Sequence, residues 1–362
     1  MMIEKINPRV KAIKAYVAGA TKDEVARRHD LDPAQIIKLA SNENPFGPSP
    51  KAVEAIRKYA AQVNLYPEDH PRELITSISE YICVSDSKII MGGNGADEVM
   101  DTMIKLLIMP GDEVVIHTPT FPYYELLTTL YGGRTIKVAM PDNFSFPIDS
   151  LVESIGEKTR LVIICSPNNP TGTVISESGL RRILATGVIV MLDEAYVEFA
   201  DRSYTGLVSE YENLVVLRTF SKAFGLAGLR VGYGVASEEI IGQAMKIKPP
   251  HNVNLLAQKA ASAALKDLDY LHSTVEKTKR LREELFNEIN SLSGAKAYRS
   301  QGNFLLVQLF EKDAGQVAYE LEKKGIIVRS CTGFGLARHI RVTVGREEEN
   351  QAFMKFFKDV LG

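Results

Sequence analysis

The chain has 362 residues, of which 45% are hydrophobic and 24% charged. That balance excludes wholesale disorder, collagen-like repeats and a small disulfide scaffold, and the length suits two domains. Forty-three basic residues against 45 acidic ones leave a formal charge of -2, so no electrostatic bias draws the chain to nucleic acid or an anionic membrane.

In chain order, the charged segment from Met1 to Lys14 lacks the apolar core of a signal peptide. The first forty residues read as a helical stretch that precedes the loop Ser41–Pro48. From Lys88 onward short apolar runs alternate with longer amphipathic ones. Strands are predicted at Lys88–Met91, Glu113–His117, Arg134–Val138, Arg160–Cys165, Val188–Leu192, Asn213–Arg218 and Val231–Val235. They are apolar nearly throughout, as strands covered on both faces must be. Helices are predicted between them at Ala96–Ile108, Phe121–Tyr131 and Glu177–Leu184, the first stopped by Met109-Pro110-Gly111. After Pro249-Pro250 the character changes. Helices Asn254–Leu265 and Tyr270–Leu292 lead to a strand at Phe304–Leu309, a helix at Ala314–Lys324, strands at Ile326–Ser330 and Ile340–Val344, and a last helix from Glu347 to Val360. The expected fold is α/β: a three-layer α/β/α domain around a mostly parallel seven-stranded sheet, plus a smaller α+β domain. Residues 1–40 form an N-terminal arm associated with the smaller domain, residues 41–250 the large domain and residues 251–362 the small one. No apolar run reaches the roughly 18 residues of a membrane span. Cys83, Cys165 and Cys331 have no metal-site or redox spacing, so no metal is expected, and the setting is read as the reducing cytoplasm.

Four segments carry chemistry. Thr219–Arg230 follows an apolar strand and presents Ser221 and Lys222 beyond its carboxyl end, where open α/β sheets bind ligands. A lysine among apolar groups there is held partly neutral, as a Schiff-base lysine requires, while Ser221 and Arg230 suit a phosphate. Asp193 ends another apolar strand, where a carboxylate needs a partner such as a protonated ring nitrogen, and Tyr196 follows three residues later. Ser166–Gly172 is a Pro/Asn/Gly turn with Asn169 at its apex. Gly92–Glu98 is a glycine-rich junction between strand and helix that exposes backbone N–H groups to a phosphate. It lacks the third glycine of a dinucleotide fingerprint, since Glu98 stands there, and it lacks the Gly-Lys-Ser/Thr of a P-loop. A Rossmann dehydrogenase is therefore disfavoured. So is a cofactor-binding regulator, because no basic DNA-binding segment is present.

Together with Tyr16–Gly19, Lys38–Pro48, Tyr66-Pro67, Pro119–Phe121, Gly228–Arg230 and Ile340–Gly345, these segments resemble, in order and over almost the whole chain, the class-II aminotransferases of pyridoxal-phosphate fold type I. The resemblance implies pyridoxal 5'-phosphate as cofactor, Schiff-base formation and proton transfer by Lys222, and an Asp193 pair with the pyridine nitrogen. It further implies hydrogen bonds from Tyr196 and Asn169 to the ring phenolate, stacking by Phe121, and a phosphate cradle of Gly95, Ala96, Asp97, Ser221 and Arg230. On the same resemblance, Tyr66 would reach that phosphate from the other subunit of a homodimer, and Arg341 and Arg329, helped by Tyr16 and Asn44, would recognise the anionic substrate. The implied reaction exchanges the amino group of histidinol phosphate with 2-oxoglutarate. Aromatic amino acids, or decarboxylation of threonine phosphate, are the alternatives within the family. One departure is Ala15, where the family often carries proline before the tyrosine matched by Tyr16.

Overall fold

The structure, a computed structural model, describes residues 5–13, 15 and 19–362. Its strands are β1 (Ile37–Leu39), β2 (Ile89–Gly95), β3 (Glu113–Thr118), β4 (Arg134–Ala139), β5 (Thr159–Cys165), β6 (Ile189–Asp193), β7 (Leu214–Thr219), β8 (Gly232–Val235), β9 (Ala295–Ala297), β10 (Phe304–Leu309), β11 (Ile326–Ser330) and β12 (His339–Thr343). Among the described residues they form two sheets, ordered β2-β8-β7-β6-β5-β3-β4 and β1-β11-β12-β10-β9. In the larger sheet β8 runs against its neighbours β2 and β7, and the pairs along β7-β6-β5-β3-β4 are parallel. The seven strands expected there are all present, in a mostly parallel sheet.

The apolar runs explain the layers. Along β5, Val162 and Ile164 enter one core while Leu161 and Ile163 enter the other, and β3, β6 and β7 alternate in the same way. Helices Ala96–Leu107, Tyr123–Tyr131 and Glu238–Ala244 cover one face; helices Arg72–Ile82, Glu177–Leu184 and Leu255–Leu265 cover the other. A strand covered on both faces has no place for polar side chains, hence the near-continuous Val/Ile/Leu. Each such side chain contributes about 1.5–3 kcal/mol on burial.

The long charged helix Leu268–Asn290 joins the two units. It buries Leu271, Val275, Leu281, Leu285 and Ile289 at helical spacing. Leu271 and Val275 belong to the core of the large sheet, Leu285 and Ile289 to that of the small one.

Two readings change. The strand expected over Lys88–Met91 does not stop at the glycine-rich junction, because β2 continues through it to Gly95. A Cβ on Gly93 would lie 1.6 Å from the Asn252 carbonyl oxygen, so glycine serves close backbone approach there. The first forty residues also hold β1, which pairs in parallel with β11 in the small sheet. Helices Pro50–Tyr59 and Arg72–Ile82 complete the stretch before the large sheet.

Ile163 is fully buried at the centre of β5. Ile163→Ala is expected to cost about 2–5 kcal/mol, read as a lower midpoint of urea unfolding.

Candidate active site

Parallel strands deliver their carboxyl ends to one edge, and there the predicted residues converge. The chain leaves β5 toward Asn169, β6 ends on Asp193, and β7 runs out through Thr219 to Ser221 and Lys222. Gly95 closes β2 at φ +77° and opens helix Ala96–Leu107. A cavity of about 430 Å3 gathers Gly95, Ala96, Asp97, Phe121, Asn169, Asp193, Tyr196, Ser221, Lys222 and Arg230 from the large sheet, with Arg329 and Arg341 from the small one.

Asp193 is buried. Its Oδ2 accepts from the Tyr124 hydroxyl at 2.7 Å and its Oδ1 from the Ala195 N–H at 3.0 Å. Among the described residues it has no ion pair within 4.0 Å. Burial pushes its carboxyl up to about 6, against the two hydrogen bonds and Lys222, which pull it down. Lys222 projects into the same cavity. Burial, then the charge of Arg341, lowers its amine to about 8. Its Nζ donates to the Ser41 carbonyl at 3.0 Å and lies 5.6 Å from the centre of the Tyr196 ring.

At the other end Arg230 holds a left-handed backbone at φ +55°. Its guanidinium donates to the Asn94 carbonyl at 3.0 Å, to Asp97 Oδ2 at 3.3 Å and to Ser221 Oγ at 3.4 Å. A Cβ on Gly95 would stand 3.0 Å from Arg230 Nη2, inside this corner. The Asp97 side chain is thus turned to Arg230; burial raises its carboxyl while Arg230 pulls it down. Phe121 presents its ring to the cavity, edge-on to Tyr124 with centroids 5.6 Å apart.

Arg341 and Arg329 stand directly opposite each other in the antiparallel register of β11 and β12. Arg341 donates to Asn169 Oδ1 at 2.5 Å and to the Ala40 carbonyl at 2.6 Å. A guanidinium only donates, so Asn169 must turn its oxygen to Arg341 and its NH2 away.

Two predicted residues stand elsewhere. Asn44 does not line this cavity: its Nδ2 donates to the Ala223 carbonyl at 2.7 Å and ties the 41–48 loop to the segment after β7, while its Oδ1 accepts from the Phe46 N–H at 2.9 Å within the loop. Tyr66 is 87% exposed and packs on His251, away from the cavity of its own chain. Tyr16 lies outside the described residues. Two contributors escaped the sequence reading. Tyr124 sits one helical turn beyond Phe121, and only its bond to Asp193 reveals it. Asn42, inside a segment already singled out, donates to the Tyr196 hydroxyl at 3.1 Å.

The chemistry of the donor set defines what fits. One end offers a buried anion without a cation, the opposite corner offers Arg230, Ser221 and the start of a helix, and a partly neutral amine faces both. A planar group with a protonated ring nitrogen, a phosphate and an aldehyde carbonyl satisfies all three. Residues 34–357 match the family described as aminotransferase class I and II. The chain belongs to that family. It is 43% identical over 99% of both chains to the histidinol-phosphate aminotransferase of Methanococcoides burtonii. To the enzyme of the same name from Methanocaldococcus jannaschii it is 40% identical, over 100% of this chain and 99% of that one. The crystal structure of histidinol-phosphate aminotransferase from Sinorhizobium meliloti in complex with pyridoxal-5'-phosphate superposes with a TM-score of 0.87 at 26% identity, covering 99% of this chain and 97% of that one. This aminotransferase is a pyridoxal-phosphate-dependent enzyme.

The raised Asp193 carboxyl has a consequence for stability. Its ordinary value is 3.8 and its folded value about 6, so between these the folded chain holds a proton that the unfolded chain releases. The contribution is fully present below pH 4 and lost as pH rises through 6. In cofactor-free protein at pH 8, Asp193→Asn is therefore expected to raise stability by about 1–3 kcal/mol, an advantage that shrinks as the pH falls toward 5. Urea titrations across that range measure it.

Proposed function

We propose that this aminotransferase exchanges the amino group of histidinol phosphate with 2-oxoglutarate, giving imidazole acetol phosphate and glutamate, as a step in histidine biosynthesis. The observation that carries the reading is the cross-strand pair Arg329–Arg341 beside Lys222, two guanidinium groups facing one cavity. Such a pair suits both an anionic phosphate and the carboxylates of glutamate, as one site serving two substrates in alternation requires. The likeness to enzymes of that name over the full length of both chains supports the same choice.

Each residue has a part in the reading. When bound, the cofactor withdraws electrons from the substrate carbon that loses its proton. Lys222 would hold the cofactor covalently and, once released, would take the proton from that carbon and return it two atoms away; an amine lowered to about 8 by burial suits both directions near neutral pH. Asp193 would keep the ring nitrogen protonated, and Tyr124 and the Ala195 N–H keep Asp193 in place. Asn169, turned by Arg341, and Tyr196 would donate to the ring oxygen. Phe121 would supply a stacking face. The N–H groups of Gly95, Ala96 and Asp97, the Ser221 hydroxyl and Arg230 would hold the phosphate. The exposed Tyr66, flanked by exposed Val63 and Leu65, fits a segment that enters the partner's site in a homodimer. The enzyme works in the cytoplasm. The described residues contain no helix long and apolar enough to cross a membrane.

Purified holoenzyme given glutamate and imidazole acetol phosphate is expected to form 2-oxoglutarate. A kcat/KM for phenylalanine above that for histidinol phosphate, or carbon dioxide release from threonine phosphate, would contradict the substrate assignment. Arg341→Lys is expected to lower kcat/KM for glutamate about 10- to 150-fold, the loss of one charged, forked hydrogen-bond set.

A further inference from the structure

Asn42 is fully buried and holds a left-handed backbone at φ +54°, a conformation that asparagine tolerates better than most side chains. Its surroundings fix which way its amide faces. The Asn42 backbone N–H donates to Thr343 Oγ1 at 2.9 Å, and the Thr343 hydroxyl donates back to Asn42 Oδ1 at 3.0 Å. Asn303 Nδ2 donates to the Asn42 carbonyl at 3.0 Å. With the oxygen end taken, the NH2 end remains, and Nδ2 donates to the Tyr196 hydroxyl oxygen at 3.1 Å.

That bond constrains Tyr196 in turn. Its ring is buried, edge-on to Phe304 with centroids 5.1 Å apart. Among the described residues no protein group accepts the hydrogen of its hydroxyl. A buried hydroxyl hydrogen without an acceptor costs about 1–3 kcal/mol, so the acceptor comes from whatever occupies the cavity.

We infer that Asn42 is a positioning residue: by donating to the Tyr196 oxygen it makes Tyr196 an obligate donor to the ring oxygen of the bound cofactor, and so sets the proton affinity of that cofactor. This rests on the cofactor placement given under Proposed function. Burial holds the Tyr196 hydroxyl protonated well above its ordinary range, while Arg341 and the Asn42 N–H work against that rise, as suits a neutral but strengthened donor. The device parallels the one at Asn169, whose orientation Arg341 sets. Both donors that meet the ring are thus oriented by groups on or beside the small sheet, Asn42 three residues after β1 and Arg341 on β12.

The test is a spectrophotometric pH titration of the holoenzyme, following the visible absorbance of the bound cofactor. A donor to the ring oxygen stabilises its deprotonated form, so weakening that donor raises the midpoint. Asn42→Asp keeps the shape and the acceptor for Thr343 but replaces the donor to Tyr196 with an acceptor, which draws the Tyr196 hydrogen away from the cavity. Its midpoint is expected to rise by about one pH unit or more. Asn42→Gly keeps the left-handed backbone, adds no charge, and is expected to shift the midpoint the same way by a smaller amount. In a Tyr196→Phe background, where the midpoint is already raised, Asn42→Asp is expected to add little. A midpoint within about 0.2 units of wild type in both variants would overturn the inference, as would an Asn42→Asp shift that persists undiminished in Tyr196→Phe, since that is a through-space charge effect. Wild-type protein that develops no cofactor absorbance would overturn the placement under Proposed function as well.

Discussion

The site depends on a carboxylate that the fold strands without a cation. Asp193 ends a strand buried on both faces, and among the described residues two neutral donors are its only hydrogen-bond partners, with Lys222 acting on it without direct contact. Two hydrogen bonds do not replace the hydration of a charge, so burial drives the carboxyl toward neutrality until a cation arrives. Under the proposed function, that unmet requirement would select the ligand: a ring that carries a proton on nitrogen would answer it, stay cationic and keep its capacity to withdraw electrons.

The second constraint is placement. An anion waiting for a cation and an amine waiting for a carbonyl must face one cavity without neutralising each other by direct contact. The parallel sheet achieves this, because β6 and β7 are neighbours and end at the same edge. Asp193 stops at the strand end, while Lys222 stands three residues beyond Thr219, held on the Ser41 carbonyl. Ala40, Ser41 and Asn42 therefore link the units: consecutive residues meet Arg341, Lys222 and Tyr196. Because this tripeptide follows β1, which belongs to the small sheet, the residues proposed for substrate recognition and for proton transfer are tied to one short stretch of backbone.

Much of this was legible in the sequence, for physical reasons. Strands buried on both faces leave an unmistakable apolar run, and a charge that ends such a run, as Asp193 does, is costly enough to announce a purpose. Lys222 was legible as a charge just beyond the carboxyl end of the next such run, and Arg230 as a guanidinium suited to a phosphate beside it. What stayed hidden was non-local. β1 is three residues long, and nothing in Ile37-Lys38-Leu39 predicts a partner nearly three hundred residues away at β11. Asn42 and Asn44 are two apart in one loop, yet Asn42, at a left-handed backbone, meets Tyr196 while Asn44 ties the loop to Ala223. Tyr124 reads as a core aromatic, and core it is; its hydroxyl acquires a role only because helix Tyr123–Tyr131 packs beneath the end of β6.

All of this turns on one amine becoming the covalent anchor for the cofactor. Borohydride reduction of freshly purified enzyme, followed by proteolysis and mass spectrometry, tests it directly. The account predicts a reduced pyridoxyl group on Lys222. An unmodified Lys222, or the group carried by a different lysine, would contradict it.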